Sequence, residues 1–328
     1  MIYVGRYPEE LVKQFAEEAE KKFKNKLKRK YVAHIQSLKY QEALDEINRV
    51  FDPIVKIANI QELFRFSPEE LREISIFLES KDRAPSYFYN GEAIQNNLKF
   101  PYKEIYDLYT PMSKYPLLFA GSPMSYGDIY EPVTQKIKMS VLMTLCLNLQ
   151  VCPYCNRTYI NYRGYNNGGA QLDHILSKNK YPIFASSINN LVPTCGTCNL
   201  TKGTSETSFS PFIQNEGNEY HFSFDPTENE IGIDSKNQST IDFIESIRLK
   251  EAYQIHRMEA ADILKKLEIY NRSQKNELQE VIYQASGSTI NIEELLFGKG
   301  LFSREEYKRY PLAKLRTDIL RANNFKRK

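Results

Sequence analysis

The chain has 328 residues, 41% hydrophobic and 26% charged, which suits a globular protein large enough for two domains and excludes a wholly disordered or fibrous one. Its 44 basic and 41 acidic residues leave a net charge of only +3, but the excess is concentrated at 152–203, where Arg157, Arg163, Lys178, Lys180 and Lys202 face Asp173 alone, and at 301–328. No apolar run approaches the roughly 20 residues a helix needs to cross a bilayer, and the first residues lack a secretory pattern, so a cytoplasmic protein with no membrane partner is expected.

Pro8-Glu9-Glu10 opens a helix that runs through Leu11, Phe15 and Ala19 to a basic stretch ending near Lys30. A second helix would carry Ile35, Leu38, Ala43, Ile47 and Val50 on one side. Ser67-Pro68-Glu69-Glu70 has the form of a capping box, with Leu71, Ile74, Phe77 and Leu78 behind it. Residues 82–131, richer in Pro, Gly and Tyr, read as long loops with short helices, and the helical period returns from Pro132 to about Leu149. Beyond a turn-rich stretch at 152–203, alternation around His221–Phe224 and at Ile231 and Ile233 predicts a small hairpin. Helices are expected at 238–268, 272–285 and 290–296, and from Ser303, again with capping-box form, to Ala322.

Four of the five cysteines form two CxxC pairs, Cys152-Pro-Tyr-Cys155 and Cys195-Gly-Thr-Cys198. A two-residue gap lets both thiolates of a pair face one tetrahedral ion, and four soft ligands suit a closed structural zinc site. Two disulfides fit poorly with an intracellular chain. The 39 residues between the pairs make the ion a clip at the base of an inserted substructure, which explains how so polar a segment can fold. Cys146, in the apolar phase of a helix, reads as a core residue.

Inside the clip stand Asp173 and His174; Asn190, Asn199 and Lys202 follow. Phosphodiester hydrolysis needs a base for water, a divalent cation on the phosphate and positive charge along the backbone. A histidine suits the first role, hard oxygen ligands hold magnesium or manganese, and a lysine suits the third. Lys178 and Lys180 bracket Asn179 after His174; backbone contact and simple solubility explain them equally well. Arg157 and Arg163 flank Tyr159 and Tyr162, a mixture that suits either a strand groove or a packed hairpin. His34, His221 and His256 lack paired ligands in the sequence.

The run CPYC, then LDHI, then NNLVPTCGTCNLTK resembles the four-cysteine branch of the HNH endonucleases, whose core is a β-hairpin and helix gripping one catalytic metal. The resemblance assigns Asp173 and Asn199 to a catalytic magnesium or manganese ion, His174 to activation of water, Asn190 to orienting that base and Lys202 to the scissile phosphate. It implies an α+β protein, mainly helical, enclosing a small zinc-stapled ββα core, with double-stranded DNA as the nucleic-acid partner. The regions would be a helical 1–149, the core at 150–212, and a hairpin with helices at 213–328. YCNRTY and LDHILSKNKYPIFASSINNLVP also resemble HNH proteins of bacterial anti-phage systems, which work beside an ATPase partner. The competing expectations are a noncatalytic zinc module that binds DNA or RNA, and a structural subunit of a defence assembly.

Overall fold

The computed structural model describes residues 2–81, 86–114, 137–164, 167–205, 209–213 and 220–323. The chain divides into two compact units: residues 3–149 with 160–214, and residues 1–2 with 150–159 and 215–328. Among the described residues no helix is long and apolar enough to cross a membrane.

In the first of these units, α1 (Glu9–Lys30) buries the stripe Leu11, Phe15, Ala16, Ala19, Phe23 and Leu27, with acids in its first turn and bases in its last to suit the helix dipole. α2 (Ala33–Phe51) buries Ala43, Leu44, Ile47, Val50 and Phe51. Leu38, expected on that side, is 66% exposed, because the leading half of α2 buries none of its residues. α3 (Ile60–Leu63) is a single turn, and α4 (Pro68–Ser80) begins with the expected reciprocal capping box of Ser67 and Glu70.

Within 82–131 the structure has short helices α5 (Tyr102–Tyr106) and α6 (Tyr109–Lys114); residues 82–85 and 115–131 of that stretch lie outside the described residues. The next helix, α7 (Met139–Cys146), is shorter than the period suggested. Asn148 takes a left-handed conformation (φ 53°) just past its end, while 132–136, the expected start, lies outside the described residues.

Two four-residue strands, β1 (Gln171–His174) and β2 (Leu191–Thr194), pair antiparallel with His174 opposite Leu191 and Gln171 opposite Thr194. β2 is buried along its whole length, and α8 (Gly196–Lys202) follows it and packs back on β1. α7 covers β2, and α1 and α4 pack on the turn at Ile188–Asn190. Phe184 stacks on Phe51 (ring centroids 6.0 Å apart) and meets Phe66 edge-on, so aromatic packing from the helical region encloses the ββα element.

The second unit is built on the predicted hairpin, β3 (Tyr220–Asp225) with β4 (Glu230–Ser235), on which α14 (Ala313–Ala322) and α11 (Arg257–Ile269) pack. The helix expected over 238–268 is broken into α9 (Gln238–Ser246), α10 (Leu249–Tyr253) and α11, since Arg248 adopts a left-handed φ of 50° between the first two. α12 (Arg272–Ser286) buries no residue, and α13 (Ile292–Phe297) buries Ile292 and Phe297. Ser303 and Glu306 do exchange capping bonds, but they close only a short turn. Pro311 has no N–H to continue a helix, and Leu312 is left-handed at φ 58°, so α14 starts only at Ala313. Arg157, a candidate groove residue by sequence, donates to His256 Nε2 at 3.0 Å and lies over the Tyr253 ring.

Candidate functional site

All four paired cysteines are buried and none is in a disulfide, and their sulfurs lie within 4.8 Å of one another. A tetrahedral zinc with bonds of about 2.3 Å sets its sulfurs about 3.8 Å apart, so a contraction of at most about 1 Å would complete the sphere. The donor set fits a thiophilic ion. Cys195 caps α8, where its sulfur accepts from the Cys198 N–H at 3.5 Å. Asn156 closes the other turn with φ 50°, and its N–H bonds the Cys152 carbonyl. Its buried side chain donates to the carbonyls of Tyr307 and Tyr310 and accepts from the Lys314 N–H, so every polar atom of that amide is used.

β1 and α8 meet through two rungs. The strand places Gln171 and Asp173 on one face, two residues apart, and the helix presents Asn199 and Lys202 three residues apart. Asn199 Nδ2 donates to Gln171 Oε1 at 2.8 Å. Lys202 Nζ lies 3.1 Å from Asp173 Oδ2 and donates to the His174 carbonyl at 2.8 Å. Both side chains of this ion pair are almost wholly buried, at 2% and 4% exposure. Gly196 leaves room for the first rung, because a Cβ there would sit 3.1 Å from the Gln171 amide nitrogen.

The Asp173 carboxylate and the Asn199 amide oxygen are hard donors one rung apart. With Asn199 donating its nitrogen to Gln171, its Oδ1 keeps its lone pairs. A carboxylate has about four acceptor sites, so Lys202 does not exhaust Asp173. Their donor chemistry is the kind a hard divalent cation takes. Lys202, expected to reach a phosphate, is instead placed against Asp173 and the backbone of His174.

His174 is buried, and its Nε2 lies 2.9 Å from the Ala185 carbonyl. A carbonyl only accepts, so Nε2 carries the proton and Nδ1 holds the lone pair. Burial drives the imidazole pKa down to about 3; the Ala185 carbonyl pulls the other way, and Lys178 and Lys202 add to the lowering. The ring is therefore neutral at neutral pH, the state able to accept a proton. Tyr109, from α6, lies over it with ring centroids 4.5 Å apart.

Asn190 is fully buried and touches the loop behind His174 rather than the imidazole. Its side chain accepts from the Leu176 N–H and donates to the carbonyls of Leu176 and Phe184, while its own carbonyl accepts from Ile175. It thereby fixes the segment that ends at Ala185, whose carbonyl holds the histidine. The neighbouring Asn189 donates instead to the Phe66 carbonyl. Ser186 and Ser187 donate to Ile105 and Leu63, so the polar SSINN run is buried by satisfying carbonyls of the helical region.

Three groups at the site, Gln171, the Ala185 carbonyl and Tyr109, are not among those the sequence singles out. Only Gln171 has a local signal, two positions before Asp173 on the same strand face. Against known proteins, residues 152–205 match the family model described as HNH endonuclease. No curated protein and no solved structure matches the chain at a significant level.

Proposed function

We propose that this chain is a metal-dependent endonuclease cutting double-stranded DNA, with its chemistry at the β1–α8 element. The observation that carries the reading is His174: its Nε2 bond to Ala185 leaves Nδ1 as the proton acceptor on the same strand as Asp173. A magnesium or manganese ion held by Asp173 and Asn199 would supply charge for the phosphate and the leaving oxygen when bound. His174 Nδ1 takes the proton of the attacking water. Asn190 and Ala185 keep the ring in one tautomer and one orientation, and Lys202 steadies the Asp173 carboxylate. The four cysteines hold a structural zinc ion, separate in ligand chemistry from the oxygen donors.

The Lys202–Asp173 ion pair favours a second reading, a noncatalytic zinc module that binds nucleic acid, because it neutralises Asp173 without any divalent ion. Cleavage distinguishes the two. Plasmid, linear DNA and structured RNA are incubated with wild type and with His174→Ala, each with and without magnesium or manganese. Metal-dependent cutting of DNA by wild type is expected, with loss of about 100- to 10,000-fold in the variant. Binding without cutting under every condition would establish the module instead. A role in anti-phage defence beside an ATPase rests on sequence resemblance alone. Its test is phage plating on cells carrying wild type or His174→Ala, with co-purification of an ATPase.

A further inference from the structure

The 152–203 stretch has three lysines, Lys178, Lys180 and Lys202, and two of them are paired with carboxylates. Lys202 is paired with Asp173, and Lys180 is 2.8 Å from Glu79 of α4. Lys178 differs. Among the described residues no carboxylate pairs with it, and its ammonium stands over two tyrosine rings, 5.5 Å from the centroid of Tyr106 and 5.0 Å from that of Tyr109. The Tyr109 ring is the one that also lies against the His174 imidazole.

The backbone that presents Lys178 is held on both sides. Asn190 takes the N–H and the carbonyl of Leu176, Tyr89 donates its hydroxyl to the Asn179 carbonyl at 2.6 Å, and Glu79 receives Lys180 and Tyr181. Aromatic faces attract a cation but do not satisfy its N–H donors. Half-burial lowers the pKa of Lys178, the mark of a charge short of solvent. A preorganised, partly desolvated cation beside a neutral histidine calls for an anion.

We propose that Lys178, propped on Tyr106 and Tyr109, is the residue that binds a phosphate oxygen of the DNA strand beside His174. This rests on the nuclease reading of the same site. It gives Lys178 the phosphate-binding role that the buried pairing of Lys202 leaves open, and it makes Tyr109 a positioning residue shared by the cation and the base.

The test measures duplex DNA affinity across a salt series in the His174→Ala background, and steady-state cleavage in the active background. Neutralising one phosphate-binding cation lowers the slope of log affinity against log salt by about one. Lys178→Gln is expected to weaken binding about tenfold, reduce the slope by about one, and raise KM more than it lowers kcat. Lys178→Arg keeps the charge and should keep the slope. Lys180→Gln removes the same charge from the same loop and should leave the slope as it is. Tyr109→Leu should weaken binding part of the way with the slope reduced. Bound zinc and melting temperature on each preparation report the fold. If wild type cuts DNA while folded Lys178→Gln binds with unchanged affinity and slope, the proposal is overturned and the nuclease reading stands. If wild type neither binds nor cuts DNA, both fall together.

Discussion

The sulfur cluster and the β1–α8 face belong to one short stretch of chain yet are stabilised in opposite ways. The cysteines are buried soft donors brought within 4.8 Å of each other, and among the described residues no His, Asp or Glu joins them in that cluster. The β1–α8 face is an ordered exchange of charges and amides: Asp173 with Lys202, Gln171 with Asn199. The first is a donor set suited to a soft ion, whose binding would add directly to the stability of the segment. The second is internally compensated and can be folded before any cation arrives. Structural and catalytic metal should therefore be separable by mutation.

The largest effect should come from the sulfur side. Cys198→Ser should reduce tightly bound zinc from about one per chain to a small fraction and open 152–202 to proteolysis, because it deletes a ligand of a site whose binding energy is folding energy. Metal analysis and limited proteolysis read both. A variant that is folded and protected without metal would show that packing, not the ion, holds the segment.

Asp173→Asn comes next. It removes a charged oxygen ligand while keeping the shape, so magnesium-supported cleavage should fall by at least about 100-fold with zinc retained. Equal loss of both metals would merge the two regions into one site and end the comparison.

Lys202→Met should act on stability more than on chemistry. Removing one partner of a buried pair leaves Asp173 uncompensated, a cost of roughly 3–5 kcal/mol. Magnesium should restore much of it, since the cation can take the place of the ammonium. Melting curves with and without magnesium decide this; a loss that magnesium leaves untouched would mean Asp173 does not receive the ion.

The smallest effect belongs to Gln171→Leu. Its bond to Asn199 is worth about 1 kcal/mol, so cleavage at limiting magnesium should fall by about fivefold and recover as magnesium is raised. A loss that saturating magnesium does not repair would assign Gln171 to the fold rather than to holding Asn199.

What could be read from sequence follows from how each interaction is encoded. The cysteine pairs and the HNH-like stretch around them are legible because ligand spacing is local. The helical starts at Pro8 and Ser67 are legible because caps are written in adjacent residues. Tyr109 and Ala185 are not, since their meeting with His174 is a product of packing between segments that only the fold brings together. The breaks at Arg248 and Leu312 are hidden because a left-handed residue other than glycine leaves no compositional trace. Leu38 has the phase of a buried residue and is exposed, because period alone cannot say where a neighbour ends. For Lys202 the position in the motif is legible, but its burial against Asp173 is not, since that pairing is made across the strand–helix contact.

Asn156 bears on the timetable of synthesis. The turn that ends the first cysteine pair is seated by atoms of Tyr307, Tyr310 and Lys314, which a ribosome adds at sequence separations of 151, 154 and 158 residues. A nascent chain that already displays all four cysteines and His174 still lacks the groups that hold Cys155 in register. Seating of that turn then waits for the segment that carries Tyr307, Tyr310 and Lys314, far along the chain from both cysteine pairs.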